Sequence, residues 1–178
     1  HYGGTEFACV LGQEMAGYAT GEVFFVSQAY GFRHSHLDSA GYGFDQTAKE
    51  KDADAAVRYL IDEECKRVQL TCMVSCLFAR GVYPEARLQE ALTSIGFRGI
   101  ADSLPVGSRE VPFRRWSLRY RTGYDPEKLT IPKRFHDIRT WKGPIDGAFM
   151  KELGDKYKTA LAESAAVYGS TSATAPKQ

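Results

Sequence analysis

Two short segments gather side chains able to do chemistry. Arg33-His34-Ser35-His36-Leu37-Asp38 places two imidazoles, a guanidinium and a carboxylate close together. Imidazole is the side chain best suited to moving a proton near pH 7. Asp38 could orient one ring, and Arg33 could hold an anion. The same residues could instead close a hydrogen-bonded turn or a solvated loop. His34 and His36 alternate, so a strand would point both to one side, but no third ligand stands nearby to complete a metal site.

The second segment is Cys72-Met73-Val74-Ser75-Cys76-Leu77-Phe78-Ala79-Arg80. Its two cysteines would share a face if helical. They could ligate a metal or cluster as thiolates, or pack as small hydrophobes. The four cysteines, at 9, 65, 72 and 76, match no ferredoxin run and include no Cys-x-x-Cys. A third stretch, Arg114-Arg115-Trp116 with Arg119, Tyr120 and Arg121, could grip phosphates or stack bases. Its plainer use is a solvated helix face with Trp116 turned inward. No Walker loop, Gly-x-Gly-x-x-Gly or Gly-x-Ser-x-Gly occurs.

These side chains must be positioned by helices. The region from about Thr47 to Val68 has Ala53, Ala56, Val57, Leu60, Ile61, Cys65 and Val68 at helical spacing, with Asp45 as expected N-cap. A short buried helix is expected from about Val23 to Tyr30, and a buried second helix over Leu70–Phe78, ended by the turn at Gly81. Pro84 and Gly96 suit the start and stop of another helix, with Leu88, Ala91, Leu92 and Ile95 on one face. Pro105 and Pro112 predict a connection over residues 101–112, followed by a short helix over Phe113–Tyr120. Residues 122–144 hold turn signals. A last helix is expected over Ile145–Tyr168, with Ile145, Phe149, Leu153, Tyr157, Leu161 and Ala165 four apart and Gly169 as its stop. The fold expected is mainly α, a single helical domain over residues 1–169 built from four or five helices, with a polar tail over 170–178.

Composition sets bounds. The chain has 178 residues, is 43% hydrophobic and carries a net charge of +1. That balance is globular and argues against a nucleic-acid partner. No run of about 18 apolar residues occurs, so no membrane span is expected. No secretory signal is visible, so free or metal-bound thiols and a cytoplasmic location are expected. The chain begins at His1, which fits a processed product, a split subunit or a fragment of a longer protein.

Gly17-Tyr18-Ala19-Thr20 followed by Arg33-His34-Ser35-His36-Leu37 resembles the "GYAT … RGxxHL" stretch of the aldehyde ferredoxin oxidoreductase family, the tungsten-pterin enzymes. Cys76-Leu77-Phe78-Ala79 resembles the stretch after that family's second "DxxGLC" motif. Lys133-Arg134-Phe135 and Gly143-Pro144 resemble its C-terminal "PxRF … GP" pattern. The likeness runs from about residue 6 to residue 165. It implies an irregular helical domain like that family's C-terminal domains. It also implies a tungsten (or molybdenum) bis-pterin, a 4Fe-4S cluster, oxidation of aldehydes to carboxylic acids, and electron transfer to ferredoxin or an iron-sulfur subunit. His36 falls on the family's proposed acid/base, with His34 beside it. Cys76 falls on the fourth cluster ligand. Cofactor contacts are implied at Thr71, Ser75, Cys76 and Leu77. Thr71 stands where the family has Asp, and Val74-Ser75 where it has Gly-Leu. The pterin-binding part and three further cluster cysteines are absent from this sequence, so they are expected from the same enzyme's N-terminal part or a partner subunit. The alternatives are a non-catalytic helical interaction subunit of a larger redox complex, or a relative reducing an aromatic acyl-thioester.

Overall fold

The computed structural model describes residues 9–10, 13–14 and 17–168. The expected stop at Gly169 and the tail over 170–178 lie outside the described residues. The protein is mainly helical, as its apolar spacing predicts. A short antiparallel pair, β1 (Cys9–Val10) and β2 (Gln13–Glu14), precedes α1 (Glu22–Tyr30) and α2 (Gly41–Thr47). Two long helices, α3 (Ala53–Cys72) and α5 (Arg98–Arg121), flank α4 (Glu85–Ser94). The short α6 (Lys133–His136) and a small hairpin, β3 (Arg139–Thr140) with β4 (Gly143–Pro144), lead into α7 (Gly147–Ala166).

The main core forms where α3, α5 and α7 pack on one another and α1 lies against α7. Every residue of α1 is buried, which explains why its sequence shows no amphipathic stripe. Phe25 of α1 stacks on Phe135 of α6 with ring centroids 4.1 Å apart. The expected stripe of α7 holds from Phe149 onward, with Phe149, Leu153, Tyr157, Leu161 and Ala165 all buried, whereas Ile145 precedes the helix and is half-buried. A smaller cluster joins Leu70, Leu88, Leu92, Ala101 and Leu104, where α4 folds back on α5.

Four local expectations are corrected. Asp45 does not cap the helix that follows it; Asp52 does, accepting from Ala55 N at 2.9 Å. Asp45 instead caps α1 from α2, accepting from Val23 N at 3.2 Å and Phe24 N at 2.9 Å. Those are the second and third amides of α1, which the preceding Gly21 has no side chain to satisfy. A Cβ on Gly21 would sit 2.6 Å from Asp45 Oδ1, so glycine makes the arrangement possible.

Residues 101–112 are helix rather than connection, with Pro105 and Pro112 inside α5. Pro105 has no N–H for the Ala101 carbonyl, and Gln89 Nε2 of α4 donates to that carbonyl at 3.2 Å instead. Leu70–Phe78 is not a buried second helix. α3 continues to Cys72, the chain turns, and a 3-10 turn spans Leu77–Val82. Val74 is 94% exposed and Phe78 85% exposed there. On α4, Leu88 and Leu92 are buried as expected, but Ala91 and Ile95 face out.

Candidate functional site

α1 ends at Tyr30, and the chain turns through residues 31–40 before α2. His34 takes a left-handed backbone conformation, φ 52°, which sends its ring inward while His36 faces out. His34 is buried, with Nδ1 3.1 Å from the Gln28 carbonyl and Nε2 3.4 Å from Arg119 Nη2. A carbonyl only accepts and a guanidinium only donates. The arrangement therefore suits a neutral ring with its proton on Nδ1. Burial, and then Arg119, hold its pKa below the ordinary histidine value. His34 is a staple between α1 and α5.

Asp38 orients neither imidazole. Its carboxylate takes a two-pronged ion pair from Arg33, with Nε at 2.6 Å and Nη2 at 2.7 Å, and Arg115 approaches to 4.0 Å. The expectation that Asp38 positions a ring is thus corrected: the pair locks the turn.

His36 opens onto a pocket of about 300 Å³. Tyr18, Leu37, Tyr42, Leu77 and Phe78 contribute to its wall, and Arg67 and Arg80 bring positive charge. The Tyr18 ring meets His36 edge-on at 5.0 Å. Burial first, then Arg67 and Arg80, push the His36 pKa below its ordinary value. These surroundings favour the neutral form of the ring over the imidazolium.

Arg67 holds this loop in place. Its Nη1 donates to the His36 carbonyl at 2.9 Å, its Nη2 to Tyr42 Oη at 3.0 Å, and its Nε to Glu63 at 3.2 Å. Arg80 approaches from the 3-10 turn, donating to Tyr42 Oη and to the Leu77 carbonyl, each at 3.0 Å. Neither arginine stood out in the sequence. The signal for Arg67 was present, because Glu64 and Arg67 occupy stripe positions of α3 at i+4 and i+7 from Leu60, where apolar residues are expected.

Among the residues expected to contact cofactor, Leu77 lines the pocket. Thr71 sits in the last turn of α3, and Ser75 and Cys76 lie in the connection from α3 to the 3-10 turn. Thr71 Oγ1 donates to the Arg67 carbonyl at 2.9 Å, and Ser75 Oγ to the Met73 carbonyl at 3.4 Å. Cys72 and Cys76 are exposed free thiols, whereas Cys65 is buried and its thiol is pushed up to about 11 by burial. Among the described residues, no group of three or more His, Cys, Asp or Glu side chains is placed to hold a metal ion. A cluster reached by Cys76 would take its other ligands from outside the described residues.

In the basic stretch of α5, Trp116 turns inward as expected, with Nε1 3.0 Å from both Glu64 oxygens, and Arg114 and Arg121 are exposed, but Arg115 and Arg119 are half-buried. Arg115 lies over the Phe32 ring at 4.0 Å, and Arg119 over Tyr124 at 4.3 Å. Arg119 also donates to the Phe32 carbonyl. These cations are spent internally rather than on phosphates.

Among the described residues, no helix is long and apolar enough to cross a membrane. No family model, no curated protein and no solved structure matches the chain.

Proposed function

We propose that this chain is the C-terminal helical part, or a split subunit, of a cytoplasmic tungsten- or molybdenum-bispterin enzyme with a 4Fe-4S cluster. It would oxidise aldehydes to carboxylic acids and pass electrons to ferredoxin or an iron-sulfur subunit. One observation carries the reading. The two segments whose motifs resemble the aldehyde ferredoxin oxidoreductase family are distant in sequence but meet at one pocket, through His36 on one side and Leu77 with Phe78 on the other. A second observation supports it. Val74 has φ 55°, a conformation that favours glycine, and it stands where the family pattern has Gly.

The residues present fit a share of such a site. Cys76 offers an exposed thiol, one of the four a cluster needs, and directly precedes the pocket-lining Leu77 in the chain. When bound, the pterin-held metal supplies the two-electron chemistry. Oxidation of a hydrated aldehyde to its acid releases two protons with the two electrons, and a neutral His36 imidazole nitrogen would accept one of the protons. In the assembled enzyme, Cys76→Ala should bleach the iron-sulfur visible absorbance, while Cys72→Ala should not. Unchanged iron content and spectrum in Cys76→Ala would refute the assignment.

A second reading is a non-catalytic helical interaction subunit of a larger redox complex. The exposure of Val74 and Phe78 favours it, because side chains of that kind gain from being covered by a partner. Under that reading, His36→Asn leaves the turnover of the complex unchanged.

A further inference from the structure

We propose that the His36 pocket binds a carboxylate carried on an apolar, preferably aromatic, body, with Arg80 as the residue that holds the charge. Three features of the pocket argue for this ligand class. The first is charge. Two guanidiniums reach the pocket and, among the described residues, no Asp or Glu lines it. Arg67 has Glu63 as its carboxylate partner on Nε, whereas among the described residues Arg80 is anchored by neutral acceptors, the Leu77 carbonyl and Tyr42 Oη. Those two bonds leave three of its five N–H donors, and a planar fork of this kind matches a carboxylate.

The second feature is preorganisation. Tyr42 Oη fixes both guanidiniums, at 3.0 Å each, so little side-chain freedom remains to be lost when an anion arrives. The third is the wall. Tyr18, Leu37, Leu77 and Phe78 present apolar surface beside the charge, and 300 Å³ lies at the small end of the range for small-molecule sites. A bare phosphate would leave that surface unused. That the carboxylate is the product of the proposed oxidation rests on the reading above; that the pocket holds one does not.

Calorimetric titration of the chain with benzoate, its uncharged analogue benzamide, and inorganic phosphate tests the proposal without any metal. Benzoate is expected to bind at least about tenfold tighter than benzamide, a difference of about 1.4 kcal/mol. Arg80→Gln should erase that difference, and Arg80→Lys should keep part of it. Phe78→Ala should weaken benzoate and benzamide alike. Arg80 and Phe78 are both exposed, so these changes leave the core intact, and circular dichroism checks this. Bound benzoate should also raise the titration midpoint of His36 by offsetting the two arginines. Benzoate binding no tighter than benzamide, or no change in Arg80→Gln, overturns the proposal. Phosphate binding as tightly as benzoate overturns the apolar-body assignment. If Arg80-dependent benzoate binding is found but the native protein lacks tungsten, molybdenum and sulfide, the pocket assignment stands and the enzyme reading falls.

Discussion

His36 and His34 share a six-residue turn yet have different tasks: His34, itself left-handed, is buried against Gln28 and Arg119, while His36 lines the pocket. His36→Asn in the assembled enzyme should lower turnover by about 10²–10⁴-fold, the usual contribution of one acid/base group, with metal content unchanged. Steady-state kinetics beside metal analysis checks this. His34→Asn should act through stability instead, since it breaks the contacts to Gln28 and Arg119. Val74 gives a prediction of opposite sign. A β-branched residue at φ 55° is strained, and its side chain is almost wholly exposed, so glycine there loses little packing. Val74→Gly should raise stability in urea by about 1 kcal/mol, after the added freedom of the unfolded chain is counted. A loss of stability would mean that the valine makes contacts its exposure denies.

α7 and α1 show what spacing can and cannot reveal. Leu153 is fully buried in the stripe of α7, so Leu153→Ala should cost about 2–5 kcal/mol by thermal or urea unfolding. That stripe was legible because only one side of α7 is buried. α5 was not legible over residues 101–112, because Pro105 reads locally as a breaker and its remedy, Gln89, comes from α4. The role of Asp45 was hidden for a similar reason, since the helix it caps lies earlier in the chain and is reached only after α2 folds back. Asp45→Ala should destabilise the protein by about 1–2 kcal/mol and expose the start of α1 to amide exchange. Asp45→Asn keeps an acceptor for Phe24 N and should cost less. Equal losses in the two variants would contradict the capping role.

The folded molecule also titrates as a unit. Burial pushes the Glu64 carboxyl up to about 7, despite the bonds from Trp116. A folded pKa raised above the unfolded value means that the native state holds its proton more tightly. The Glu64 contribution to stability is therefore present below about pH 4.5 and is lost as pH rises towards 7. Glu64→Gln should flatten that fall, by an amount on the order of 3 kcal/mol between the two limits. Unfolding curves of both proteins at pH 5 and pH 8 would show it. His34 and His36 act with the other sign: with folded values depressed, they remove stability as pH drops below about 6.5. The mainly helical class was legible from apolar spacing, and the two chemical segments from their residue types. Their meeting at one pocket was not, because it depends on Arg67 reaching from α3 to the His36 carbonyl. The proposed enzyme rests on that meeting and on the free Cys76 thiol. Metal and acid-labile sulfide analysis of the native protein tests it most directly. The account predicts tungsten or molybdenum together with iron and sulfide in a four-to-four ratio, as one 4Fe-4S cluster requires. Native protein that carries none of these would contradict it.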